Sequence, residues 1–242
     1  MCLILLSGKT YNYNLETMED KLCSNCGQSA KPKRIDFNYI IKEIEHVLHF
    51  EKGILFTVKE LFTRPGESIR EFLSNDRNRL VKPIIFIIVT SLIYSLIDHY
   101  FHIEAGYIPH ENTQTAVALV FEWIQGHYGY ANILMGIFIA FWMRLFFKKY
   151  GYNIFEILIV LCFLMGASML ILALFAIFEG VFKIKLLVIS NLLGYIYTSI
   201  GIALFFDKFK IANYIKAFCA YTLGYLSFML FATILGILAD SL

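Results

Sequence analysis

The chain has 242 residues, 58% apolar and only 17% charged, with a formal charge of +2 and a mean hydropathy of +0.64. A soluble domain carries about 25% charged residues and about 45–50% apolar ones, so this composition excludes a water-soluble globule as the whole molecule. The small net charge gives no basis for a nucleic-acid surface, and no direct nucleic-acid binding is expected. Charge is also unevenly placed. Residues 1–82 hold 13 of the 21 Lys and Arg and 11 of the 19 Asp and Glu, leaving 8 of each for the other 160 residues. The chain therefore divides near Pro83 into an aqueous region, 1–82, and a lipid-embedded region, 83–242.

The first motif is CSNCG. Cys23 and Cys26 have the spacing that lets two thiolates reach one zinc ion, with Gly27 permitting the turn between them. Two ligands do not complete a tetrahedron. His46 and His49 follow 20 residues later, so a Cys2His2 set is arithmetically available. Metal-free cysteines and redox or intermolecular chemistry are the competing uses.

From Arg34 onward the pattern is helical. Phe37, Ile40, Ile41, Ile44, Val47 and Leu48 fall on one side of a helix that Asp36 would cap and Gly53 would end. Thr57 with Glu60 reads as a capping box opening a second helix. Pro65 and Gly66 break the chain before a third, SIREFL. These amphipathic elements either lie on the lipid surface with their apolar faces down or pack on each other and on the membrane bundle.

KLCSNCGQ, the helix start at Arg34 and Ile35, FEKGILFTVKELFTRPGESIREFL and the basic NRLVKPIIF together resemble an uncharacterised family of Bacteroidota inner-membrane proteins. That family has a cysteine knuckle, a G-x-x-x-T-x-x-x-L-x-x-x-P-G segment and several membrane spans. Here the segment is Gly53, Thr57, Leu61, Pro65 and Gly66. The resemblance covers residues 21–90 and implies the membrane fold and a bacterial inner-membrane location, but no reaction. Typical members have two CxxC pairs, whereas this chain has one.

Crossing about 30 Å of hydrocarbon takes roughly 20 apolar residues. Five segments qualify, at about 83–101, 129–147, 154–178, 186–206 and 213–238. The fold class expected is an all-α polytopic membrane bundle. None of the segments alternates apolar and polar residues as a transmembrane barrel strand does. Small residues spaced by four invite close helix approach at Gly136 and Ala140, Gly194 and Thr198, Ala220 and Gly224, and Ala232 and Gly236. Asn132, Asn191, Thr198 and Ser199 read as hydrogen-bonding groups between helices. Tyr94, Tyr100, Trp123, Tyr128, Tyr130, Trp142, Tyr150 and Tyr152 read largely as interfacial anchors.

Polar groups within spans are functional candidates. Arg144 and Glu156 flank one short turn and are expected to form an ion pair that fixes the hairpin. Asp98, His99 and His102 gather at the opposite end of the first span as a speculative polar cluster. No Gly-rich phosphate loop, HExxH or GxSxG occurs.

The reading that follows is a non-enzymatic membrane scaffold or regulatory protein, engaging a cytoplasmic protein through its N-terminal helices. One alternative is an oligomeric pore or channel, including an accessory effector of an antiviral defence system. Another is a membrane enzyme built on Asp98, His99 and His102.

Basic residues set the expected orientation. Arg64, Arg70, Arg77, Arg79 and Lys82 precede the first span, and residues 102–128 contain no Lys or Arg. A cytoplasmic N terminus and an external C terminus follow, with Lys183 and Lys185 discordant. Single cysteines placed at 112 and 208 test this: an impermeant thiol reagent outside the cell should label 112 and spare 208, and the reverse pattern would refute the assignment.

Overall fold

The computed structural model describes residues 51–74, 76–103 and 115–240. They belong to one unit, His49–Leu242, and are all-α, with no strand among the described residues. The helices are α1 (Glu51–Thr63), α2 (Pro65–Ser74), α3 (Pro83–Phe101), α4 (Ala116–Gly126), α5 (Tyr128–Phe146), α6 (Ile154–Phe182), α7 (Leu187–Phe206) and α8 (Ile211–Asp240). Five of them, α3 and α5 to α8, are long and apolar enough to cross a membrane. The protein is a multi-pass membrane helix bundle.

α6 is the axis. In its most apolar window 72% of residues are buried, against 22% for α8 and 28% for α3. A helix hydrophobic on every side has no face to offer water, so it sits inside other helices. α3, α5 and α7 surround it, and α1 and α2 reach its near end. Phe163 of α6 meets Phe86 of α3 at a centroid distance of 6.0 Å and Phe72 of α2 at 5.2 Å. The remaining helices turn apolar side chains outward, among them Leu96, Phe141, Leu192 and Leu230. That is the exterior a lipid-facing bundle requires.

Two spans run past the limits expected from hydropathy, each for a polar reason. α6 continues to Phe182 because the buried carboxylate of Glu179 accepts from the backbone amides of Leu186 at 2.7 Å and Leu187 at 2.9 Å. The acid thereby serves the unpaired amides at the start of α7. α8 continues to Asp240, whose carboxylate accepts from Ala116 N at 2.6 Å. That contact belongs to α4, an 11-residue helix not anticipated in the connection after the first span. α4 is too short to cross a bilayer and lies against α8.

All eight small residues at the four-residue spacings are buried within this one chain. A Cβ on Gly224 would sit 2.5 Å from Ile139 Cα, and one on Gly236 would sit 2.6 Å from Val117 Cα. Those glycines let α8 touch the backbones of α5 and α4.

Of the four expected inter-helix polar groups, Asn132 donates to Ser91 of α3 at 3.3 Å. Thr198 bonds its own helix at Gly194 O and also interacts with Tyr221 of α8. Asn191 bonds only its own helix, through Leu187 O. Ser199 Oγ is buried without a partner among the described residues.

Several aromatics read as interfacial anchors are core instead. Tyr94 is fully buried. Trp142 donates to Ser227 of α8 at 3.0 Å. Tyr150 and Tyr152 pack on Phe206, which stacks on Phe147 at 3.9 Å. Tyr100, Trp123 and Tyr130 do remain exposed.

Replacing Gly224 with Ala should force α8 away from α5 and cost about 1–3 kcal/mol, the range for overpacking. Thermal unfolding in detergent measures it. Gly129→Ala is the control, since its nearest new neighbour, Ile88 Cα, would be at 3.7 Å, and its midpoint should stay close to that of the parent chain.

Candidate functional site at the α1–α2 end of the bundle

α1 is one uninterrupted helix, so two expectations change. Gly53 does not end a helix, and Thr57 with Glu60 does not open one; both lie inside Glu51–Thr63. Residues four apart share a helix face, and Gly53, Thr57 and Leu61 form the face turned to the bundle. A Cβ on Gly53 would meet Val81 Cγ2 at 3.1 Å. Thr57 Oγ1 accepts from Val81 N at 3.0 Å in a fully buried bond. Leu61 is fully buried, and its carbonyl accepts from Tyr197 OH of α7 at 3.0 Å.

Glu60 does the work first assigned to a cap, in a different way. Its Oε2 accepts from Ser68 Oγ at 2.8 Å, Arg64 Nη2 at 2.8 Å and Arg79 Nη2 at 3.1 Å. Arg79 also bonds Glu71. One carboxylate, 7% exposed, thus joins α1, α2 and the link to α3. Burial opposes its ionisation most strongly. The hydrogen bonds from Ser68 and Arg64 and the charges of Arg64 and Arg79 together outweigh that and hold the carboxyl below its ordinary 4.5.

α2 then grips the end of α7. Arg70 Nη1 donates to the carbonyls of Leu204 and Phe205, both at 2.6 Å. These are two of the carbonyls that a helix C-terminus leaves without intrahelical partners. Gly66 allows the approach, because a Cβ there would come within 2.8 Å of Phe205 N. Outside this contact Lys208 pairs with Glu67 at 3.1 Å and, by that bond and its charge, lowers the pKa of Glu67. Ile69 and Phe72 fill the space beneath, both buried in the core.

With this geometry established, a family model described as "Protein of unknown function (DUF3667)" matches residues 51–95. The match covers one side of the clamp that α1 and α2 form on the end of α7. It takes in α1, α2, the link and the first two-thirds of α3. Neither a curated protein nor a solved structure matches the chain.

Arg144 and Glu156 do not pair. Arg144 donates to Tyr152 O at 3.2 Å, while Glu156 accepts from Asn153 N at 2.8 Å and completes a capping box at the start of α6. The same short turn that brings their helices together offers each a nearer backbone partner. His99 and His102 stack at a 6.0 Å centroid separation and are exposed, with His102 in the left-handed position that ends α3. Among the described residues no group of three or more His, Cys, Asp or Glu is placed to hold a metal. Cys23, Cys26, His46 and His49 lie outside the described residues.

The Arg70 cap and the three-donor Glu60 site were not anticipated. Only Glu60 and Arg64, four apart on a helix, carried a local signal.

Glu60→Gln should remove the charge that balances Arg64 and Arg79 and weaken docking of α1 and α2 by about 1–3 kcal/mol. Hydrogen exchange of amides 57–72 reads this directly. The pH dependence has a defined sign: because the folded carboxyl is shifted down, its contribution is complete above 4.5 and is lost as pH falls through the folded value. Exchange corrected for intrinsic rate should be flat from neutral pH to about 5 and accelerate below 4.5. E60Q should show a smaller step, the remainder coming from Glu67 and its pairing with Lys208.

Proposed function

We propose that the chain is a non-enzymatic scaffold or regulatory protein of a bacterial inner membrane, coupling a cytoplasmic partner bound at its N-terminal region to the membrane bundle. The observation that carries this reading is the clamp. Arg70, Tyr197 and Glu60 tie α1 and α2 to α7 and to the α3 link through directional bonds. A load applied upstream of Glu51 would reach the spans through these bonds and not through a slack tether. A segment that merely joined two regions would need no buried carboxylate with three donors.

The placement of charge supports a cytoplasmic N terminus. Arg64, Arg70, Arg79, Lys148, Lys149, Lys208 and Lys210 gather at the clamp end of the spans, the bias that cytoplasmic flanks carry. The opposite end has Lys183 and Lys185 in a turn tied down by Glu179. The external C terminus and the lipid bilayer as the surrounding partner belong to the same reading. Zinc held by Cys23 and Cys26, with His46 and His49, would give the N-terminal region a rigid knuckle for partner recognition.

Three experiments test the proposal. Photocrosslinkers placed along residues 30–50 of the full chain in cells should capture one defined protein, and that capture should weaken when Arg70→Met uncouples α2 from α7. The purified chain should be a monomer or dimer in mild detergent and pass no ions in liposomes. A ring of four or more subunits with conductance would replace the scaffold by the pore. Metal analysis of protein prepared without chelator should find zinc near one atom per chain or per dimer, removed by changing Cys23 and Cys26 to Ser; zinc-free protein would end that part of the reading.

A further inference from the structure

A cavity of about 720 Å³ lies between α4, α5, α6, α7 and α8, away from the clamp. Its volume is in the range of about 300–1,000 Å³ typical of sites that enclose a small molecule. Among the described residues the lining contains no Lys, Arg, Asp, Glu or His. Apolar groups dominate, and three of them are Met135, Met169 and Met229, whose unbranched side chains adapt to a flexible guest.

The polar groups are neutral and concentrated. Asn132 and Ser168 line the closed side, both more than nine-tenths buried. The Asn132 amide nitrogen donates to Ser91, while its carbonyl oxygen has no partner among the described residues. Tyr195 and Tyr221 also line the wall, with their hydroxyls engaged by Thr222 and Thr198. A buried amide of this kind favours a ligand that supplies a hydrogen bond.

The opening is equally specific. The exposed members of the lining are Asn191 and Leu192 on α7 and Tyr225 on α8. Tyr195 closes the gap further along, where its hydroxyl bonds Thr222 and its ring meets Phe218. The mouth thus faces sideways between two spans, flanked by the exposed apolar side chains Val188, Ile189 and Leu226. A gap between two spans suits a guest that partitions into the bilayer.

We infer that this cavity is a binding site for an uncharged amphiphile, with its apolar chain against the methionines and a small hydroxyl or carbonyl head at Asn132 and Ser168. The missing charge rules out recognition of a phosphate head, whose burial without a cationic partner is strongly unfavourable. Acylglycerols and isoprenoid quinones share the required chemistry.

The test uses the full chain in nanodiscs with a monoacylglycerol carrying a diazirine near its chain end. Labelling should be saturable and map to peptides around 128–135, 187–195 and 221–229. Excess unlabelled monoacylglycerol should reduce it at least fivefold. Competition by ubiquinone alone, and not by monoacylglycerol, would keep the site and assign the head to the quinone class. Met135→Trp, which fills the space, should abolish labelling while the unfolding midpoint holds. If that variant fails to fold, Asn132→Leu should still weaken competition by the hydroxylated lipid. Labelling spread evenly over the outward faces of α3 and α8 and unchanged in either variant would overturn the inference. Equal competition by phosphatidylglycerol would overturn it as well.

Discussion

Everything in this fold answers to α6. A 29-residue helix whose sequence offers water nothing must be wrapped, and its wrapping fixes where the other helices go. α3, α5 and α7 take its sides, which leaves α8 a peripheral place against α5 and α7. α8 consequently shows its neighbours glycine and alanine and shows lipid its Ile, Leu and Phe. The backbone contacts at Gly224 and Gly236 follow from that position. With little hydrophobic force between helices in lipid, close van der Waals packing is what remains to hold α8.

Polar chemistry is placed where the apolar argument runs out, at helix ends. Glu156 caps α6, Glu179 serves α7, Asp240 serves α4 and Arg70 closes the far end of α7. Each neutralises backbone groups that the hydrocarbon would otherwise leave unsatisfied. Glu60 is the exception, because it binds side chains and not a helix terminus. Its three donors come from the α1–α2 junction, α2 and the link that follows, so it sets their mutual geometry more than their length.

The five spans were readable because each is a long apolar run with at most one charged residue, a signal that survives any packing. Their ends were less readable. Glu179 looks like a reason to stop a membrane helix, and only the amides of Leu186 and Leu187 show why the helix continues. The G-x-x-x-T-x-x-x-L pattern was visible, but its meaning depended on Val81 and Tyr197, which no local spacing connects to it. Arg144 and Glu156 failed as a pair for the opposite reason: nearer partners, Tyr152 and Asn153, were within reach of each. Tyr94 was placed at the interface by residue type and Trp142 at either the interface or the bundle, whereas burial of the first and a hydroxyl partner for the second put both in the bundle.

The Arg70 bond also has a history in time. Its acceptor at Leu204 lies 134 residues downstream, so at about 5–20 residues per second the ribosome needs roughly 7–27 s to supply it. Until then part of the surface that buries Leu61, Ile69 and Phe72 in the finished protein is missing. A nascent chain with three such side chains and an incomplete docking surface needs a temporary host. The apolar interface of the bilayer beside the translocating spans is one that every copy passes. Assembly would then proceed by transfer, with α1 and α2 leaving the lipid for the bundle as the last turn of α7 arrives.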